Sequence, residues 1–212
     1  MLAFLYFCKR KQIIMLYAIA HFLRDRMPWL WDVVDAINSW LFSLRYGRRL
    51  CAIESKVMEN YASETGYKVC RLREVDAAKI ADSFAKQPEE AYTYFKPHGF
   101  DVRSIRKLQK NKSFLAYLLV DEDKIAGYCF NRSFFHGKGF RGRIVDINHR
   151  GKGLGTLMNK LLNEVGFGIG LRLFESVSKD NVASYRSALS ASNVKVIEEL
   201  PHNELFLEIV KE

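Results

Sequence analysis

From Val145 to Gly155 the chain reads Val-Asp-Ile-Asn-His-Arg-Gly-Lys-Gly-Leu-Gly, closing a β-rich run and opening an amphipathic segment that continues from Thr156 to Leu162. Gly151, Gly153 and Gly155 fall within five residues. Lacking side chains, they let consecutive backbone N–H groups point into one concavity, and the N-terminus of the following helix adds its partial positive charge. A loop of this kind grips a pyrophosphate. Two common pyrophosphate sites do not fit. A P-loop needs Gly-Lys-Ser/Thr after four intervening residues, which Gly151-Lys152-Gly153 does not supply. A dinucleotide fold places its glycine turn after an early strand with a parallel crossover, whereas about four strands, including a hairpin, precede this one. A second residue stands out by parity: Glu175 shares its side of a strand with Leu171, Leu173 and Val177. A carboxylate interrupting an apolar face is either paired with a basic neighbour or faces a cleft.

Arg150-Gly151-Lys152-Gly153-Leu154-Gly155 resembles the Arg/Gln-x-x-Gly-x-Gly/Ala signature of the GNAT acetyltransferases, with Val145 at the expected offset on the fourth strand. Downstream, residues 173–177 followed by Asp180-Asn181-Val182-Ala183-Ser184 resemble that family's fifth strand and the Asn-x-x-Ala/Ser start of its next helix. The resemblance covers residues 67–210. It implies an α+β fold with a mixed sheet whose fourth and fifth strands splay apart, and acetyl-CoA in the gap. It further implies that a pantetheine arm bonds to backbone at Ile144, Val145 and Asp146. The pyrophosphate would meet the N–H groups of Arg150, Gly151, Lys152, Gly153, Leu154, Gly155 and Thr156, with Asn181 on the pantetheine side. Lys152 or Arg150 could also meet a phosphate through its side chain, although a solvated surface charge is the simpler reading of Lys152. The implied activity is transfer of an acetyl group to a primary amine by direct attack.

That reaction needs a neutral nucleophile, a polarised thioester carbonyl and a proton for the departing thiolate. In the resemblance a backbone N–H at Val145 or Asp146 polarises the carbonyl. Glu175 is the first candidate base. His136, between the third and fourth strands, is a second, since imidazole titrates in the useful range; an ordinary loop histidine is its simpler reading. The segment Tyr94-Phe95-Lys96-Pro97-His98-Gly99-Phe100 lies where the family shapes its acceptor pocket, so Tyr94 and His98 are candidates to stack on a sugar or other ring. Arg132 is a candidate anchor for an acidic group on the acceptor. One departure from the family pattern bears on the acid: many relatives carry a Tyr seven positions beyond the Asn, and here that position is Ala188. Tyr185 points elsewhere on the helix, which leaves Ser184 or solvent to protonate the thiolate.

The elements that must position these groups begin near residue 67. Strands are expected over 67–73, 114–120, 124–134, 140–147, 171–178, 194–199 and 204–209, with helices over 76–86 and 101–109 opened by the capping residues Asp76 and Asp101. Residues 66–212 form the expected acetyltransferase domain. Residues 1–65 read as a helical, aromatic-rich arm: 28–46 is helical, with Asp32, Asp35, Ser39 and Ser43 as a narrow polar stripe on an otherwise apolar helix, and Ser63 to Gly66 read as a linker. Such an arm packs on the domain it precedes, pairs two copies of the chain or lies on a membrane surface. Lys9, Arg10 and Lys11 interrupt the apolar runs before residue 24, so no stretch reaches the ~18 residues of a spanning helix.

Composition narrows the partners. With 49% apolar and 27% charged residues the chain is a folded protein, and its net charge of +9 suits an anionic partner. Arg24, Arg26, Arg45, Arg48 and Arg49 bracket the aromatic segment, a pattern that favours a membrane surface over nucleic acid. Four scattered cysteines give no metal-ligand spacing, and reduced thiols together with acetyl-CoA use imply the cytoplasm, with the arm peripheral at the inner face of the membrane. The acceptor expected from this setting is a small-molecule amine such as an amino sugar of surface-polysaccharide synthesis. A protein N-terminus or lysine is the alternative acceptor, and a non-catalytic acyl-CoA-binding module the alternative class.

Overall fold

The computed structural model describes residues 28–211; the basic cluster and apolar runs read from residues 1–27 lie outside the described residues. The chain divides into two compact units, residues 1–38 and 39–212. Helix α1 (Pro28–Thr65) is continuous. It ends at Gly66, whose positive φ of 74° breaks the helical path while its N–H still donates to Ala62 O at 3.0 Å. The described part of the first unit is the opening turns of this helix.

The rest of α1 belongs to the second unit, which corrects the expected boundary at residue 65. Phe42, Tyr46, Leu50, Val57 and Tyr61 recur on one side of the helix and are buried in the same cluster as Tyr117 and Leu119 of the sheet. A polar anchor reinforces this packing. Glu54, buried on α1, accepts a hydrogen bond from the Tyr117 hydroxyl at 2.8 Å and from Arg71 Nε at 2.6 Å. Trp40 and Leu44, on another side of the helix, remain 62% and 66% exposed.

The sheet has seven strands. β1 (Lys68–Arg71), β2 (Phe114–Asp121), β3 (Lys124–Ser133) and β4 (Lys138–Val145) form an antiparallel meander. β5 (Arg172–Ser178) pairs with β4 in parallel, and β7 (Glu204–Val210) inserts between β5 and β6 (Asn193–Leu200). Alternation along β2 sends Tyr117 and Leu119 to the face covered by α1 and by α4 (Leu154–Ile169), while Ala116 and Leu118 face α2 (Ala77–Ala85) and α3 (Val102–Lys110). Asp76 and Asp101 cap α2 and α3 through Ala78 N and Ser104 N, as their sequence positions indicate. A shorter helix, α5 (Val182–Leu189), follows β5.

The turn between β6 and β7 has an unusual backbone. His202 and Asn203 both take positive φ, 64° and 60°, a region Asn and His tolerate better than most residues. Asn203 is held there from outside the hairpin: its carbonyl accepts from Lys179 N at 2.8 Å and its Nδ2 donates to Asp180 Oδ1 at 3.0 Å.

Because the α1 stripe is core, a chain begun at Ser39 should melt as cooperatively as the full chain, while one begun at Gly66 should not fold. Within the full chain, Phe42→Ala should cost about 3–5 kcal/mol in denaturant titration. A loss below about 1 kcal/mol would remove α1 from the core.

Candidate active site

The site begins where the sheet fails to close. β4 and β5 pair only through Lys138 with Arg172, Gly139 with Leu173 and Phe140 with Phe174. Beyond them the strands diverge, and two cavities of about 410 and 320 Å³ line the divergence. Arg143, Asn181, Ser184 and the loop residues Thr93, Tyr94 and Phe95 border both, so the chambers meet there.

Ladder parity decides which backbone groups face this gap. Asp146 N–H donates to Ala126 O at 2.9 Å and Phe134 N–H to Lys138 O at 2.8 Å, so even-numbered residues of this strand bond to β3. Arg172 N–H donates to Gly137 O at 2.9 Å, so odd-numbered ones face β5. Since the two sets alternate, Arg141, Arg143 and Val145 present N–H and C=O to an edge that β5 has left. The expectation that Ile144, Val145 and Asp146 would all offer backbone is therefore corrected. Val145 does so; Ile144 lines the first cavity but its backbone belongs to the β3 ladder, as does that of Asp146, and Arg143 is the second donor on the open edge.

Asp146 instead shapes the loop that follows. Its Oδ1 accepts from Asn148 N at 3.0 Å and lies 2.7 Å from His149 Nδ1, and its Oδ2 accepts from Gln87 Nε2. Burial pushes this carboxyl up, but the hydrogen bonds from His149 and Gln87 outweigh it and hold the group below the usual carboxylate range. Gly151 and Gly153 follow with φ of 78° and 77°. Nothing lies within 4 Å of a Cβ built on either, so backbone conformation and not space requires glycine there. Gly153 is the residue that opens α4. The first N–H groups of a helix have no partner within it, and Gly153, Leu154, Gly155 and Thr156 line the first cavity with Arg150 and Gly151. Lys152 does not line it.

A buried ion cluster crosses the seam. Glu175 Oε2 accepts from Arg141 Nε at 2.7 Å and from Arg143 Nη1 at 3.1 Å, and all three side chains are nearly inaccessible. Arg143 then reaches α5: its Nη2 donates to Ser184 O at 2.8 Å, Ser184 Oγ at 3.0 Å and Ser187 Oγ at 2.7 Å. Burial pushes the Glu175 carboxyl up, yet the two guanidiniums overcome that and hold it below its ordinary value. A carboxylate made less basic in this way is a structural anchor, so the salt-bridge reading of Glu175 is the one the geometry supports. Asn181 caps α5, its Oδ1 accepting from Ser184 N at 3.2 Å.

No family model and no curated protein matches the chain. Solved structures do. The GNAT domain of S. lividans PAT superposes with a TM-score of 0.59 at 11% identity, covering 68% of this chain and 89% of that one. Campylobacter jejuni N-acetyltransferase PseH in complex with acetyl coenzyme A gives 0.52 at 16% identity, over 69% and 99% of the two chains. The aminoglycoside acetyltransferase AAC(6')-Ib, solved with coenzyme A and kanamycin, gives 0.51 at 14%, over 66% and 92%. The fold is that of the GNAT acetyltransferases.

Within this GNAT fold the remaining candidates separate. Tyr94, 54% exposed, borders both cavities, and so does Ser184. His98 borders neither. Its Nδ1 donates to Gly99 O at 2.8 Å, which leaves Nε2 to accept from the Tyr128 hydroxyl at 2.9 Å. Its ring packs among Phe100, Phe114 and Phe130, and burial pushes its pKa down. His98 thus pins the loop that carries Tyr94 and is not itself in the pocket. Arg132 lies on β3 between Phe114 and Phe140 and lines neither cavity. His136 is exposed in the β3–β4 turn, at the end of β4 remote from the glycine loop. Ala188 is fully buried in α5, and Tyr185 borders neither chamber. The structure also brings in Arg143, Ser187, Lys96 and Glu204, which no sequence motif marked.

Asp146, Glu175 and His98 all titrate below their ordinary values of 3.8, 4.5 and 6.5. On acidification the unfolded chain therefore takes up protons first, so each group's share of stability is full above its ordinary value and is lost as the pH falls from there toward its folded value. The share of His98 goes first, and the carboxylates follow below 4.5 and 3.8 toward their folded values. Tm should fall steadily from about pH 7 to about pH 4, and His98→Gln should remove the first step of that fall. A flat profile would contradict the assignment.

Proposed function

We propose that the chain is an acetyl-CoA-dependent N-acetyltransferase acting on the primary amine of a small molecule. The observation that carries this reading is the open backbone edge at Arg143 and Val145, running directly into the left-handed glycine turn at the head of α4. The fit to the cofactor is a matter of matching donors. Alternating N–H and C=O groups suit the amides of a pantetheine arm, and the free N–H groups of Gly153 to Thr156 with the Arg150 guanidinium suit its phosphates. Acetyl-CoA supplies the activated acyl group as a thioester.

The remaining work falls to groups of this chain. The Val145 N–H faces the gap and serves to polarise a carbonyl oxygen there, a role that needs no side chain. Ser184 stands where the two chambers meet; its oxygen accepts from Arg143, so its hydroxyl proton remains available for a leaving thiolate. Bounded chambers of this size suit a small acceptor better than a protein N-terminus or lysine, which calls for an open groove. The likeness to AAC(6')-Ib with kanamycin supports an amino sugar. Retention of the left-handed turns at Gly151 and Gly153 weighs against a module that has lost its cofactor.

We place the protein in the cytoplasm, at the inner face of a membrane. Among the described residues no helix is long and apolar enough to cross one. The exposed Trp40 and Leu44, followed by Arg45, Arg48 and Arg49, support adsorption to an anionic surface, where Trp and Arg are favoured, ahead of pairing between two copies.

Calorimetric titration of the full chain with acetyl-CoA should give saturable binding. Gly153→Glu, which strains the turn and sets a carboxylate among the phosphate donors, should weaken it by more than about tenfold. No binding to the unaltered chain would end the acetyltransferase reading. Vesicles containing phosphatidylglycerol should co-sediment the protein, and Trp40→Ser with Leu44→Ser should release it; equal sedimentation with neutral vesicles would refute the surface assignment.

A further inference from the structure

The second cavity differs from the first in what it offers. Arg141, Arg143 and Glu175 on its wall are tied to one another, to Asn163 of α4 and to α5, and of their polar atoms Glu175 Oε1 and Arg141 Nη2 stay buried without a partner. Two other charged side chains line it, Glu204 and Lys96, and among the described residues neither is engaged in a hydrogen bond or ion pair through its side chain. Glu204 is half-buried at the first position of β7, paired with Ser178, while Lys96 is exposed on the loop pinned by His98.

Sheet parity sets Glu204 beside an aromatic stack, which borders the cavity without lining it. The pairs Ser176 with Phe206 and Ser178 with Glu204 set Glu204 and Phe206 on one face of the sheet. Phe206 stacks on Phe174 with centroids 5.5 Å apart and planes at 11°, and on Phe140 at 6.2 Å and 19°. Phe140 is 36% exposed and Tyr94 borders the cavity from the loop side. A free carboxylate, a free ammonium and the rings of Tyr94 and Phe95 line these 320 Å³ and describe a ligand with a cationic nitrogen, an anionic group and a ring.

Building on the acetyltransferase reading, we propose that this second cavity is the acceptor subsite, and that it selects a ring-borne primary amine that also carries an anionic substituent such as a phosphate or carboxylate. Glu204 receives the ammonium and Lys96 the anion. Glu204 takes one proton from the ammonium, leaving the neutral amine. The amine nitrogen then bonds to the acyl carbon, the carbon–sulfur bond breaks, Ser184 gives its hydroxyl proton to the departing thiolate, and the second nitrogen proton restores the Ser184 hydroxyl. Amide, thiol and the proton released from Glu204 to solvent complete the balance.

The test uses the full chain and three amines as probes: glucosamine, glucosamine 6-phosphate and phosphoethanolamine, which have ring without anion, both, and anion without ring. With acetyl-CoA, glucosamine 6-phosphate should exceed each of the other two in kcat/KM by about tenfold or more, the worth of one charge-assisted contact. Lys96→Met should bring it down to the level of glucosamine through KM. Glu204→Gln should lower kcat on all three by at least about a hundredfold. Calorimetry with coenzyme A present should show weaker amine binding to Glu204→Gln and unaltered coenzyme A binding, which also verifies folding. Full activity of Glu204→Gln, or indifference to the anionic group, would overturn the proposal and leave the acetyltransferase reading intact. Failure of the unaltered chain to bind acetyl-CoA would overturn both.

Discussion

The parallel pairing of β4 with β5 stops after three residue pairs, and the rest of the site depends on its stopping there. Had the strands stayed together, Arg143 and Val145 would have spent their N–H and C=O groups on β5. Where the backbones part, side-chain charge bridges the seam. Glu175 on one strand and two arginines on the other form a buried cluster whose members leave water only because each finds a partner. The strands are thus joined through side chains where their backbones no longer pair.

The same cluster reaches beyond the sheet. Through Ser184 and Ser187, Arg143 fixes α5 against the seam, and Ser187 Oγ lies 3.4 Å from where a side chain at Gly155 would start. Gly155 therefore serves a different purpose from its two neighbours in the motif: Gly151 and Gly153 supply a backbone conformation, Gly155 a close approach between helices. On the opposite face a neutral histidine does the comparable work, with His98 and Tyr128 holding the aromatic loop over the cavities. One side of the gap is set by ionic contacts and the other by rings.

What the sequence revealed of this follows from how local each requirement is. Positive φ at Gly151 and Gly153 is a demand on single residues, so it is written as glycine and could be read. The parity of Glu175 was equally visible, but its partners sit on another strand more than thirty positions away, and periodicity along one strand cannot name them. The choice of Val145 over Asp146 rests on the register of the β3–β4 hairpin, which fixes odd and even and leaves no mark in the residues themselves. The extent of the core was misjudged for a similar reason. Gly47, Arg48 and Arg49 interrupt the sequence between Tyr46 and Leu50, although on the helix they fall away from the buried stripe. Glu204 escaped notice because nothing local distinguishes it from the other acidic residues of the last hairpin.

The left-handed turn at His202 and Asn203 sets which face of the sheet receives Glu204, since a strand shifted by one residue turns every side chain over. It also grips the segment leading to Asn181 through Lys179 and Asp180, on the side away from the glycine loop. On the proposed reading, donor handling and acceptor choice are thereby housed in separate stretches of chain, one written in glycines, the other hanging on the length of a three-residue turn. A residue gained or lost in that turn would therefore re-address the proposed pocket and leave the loop that meets the acyl donor as it was.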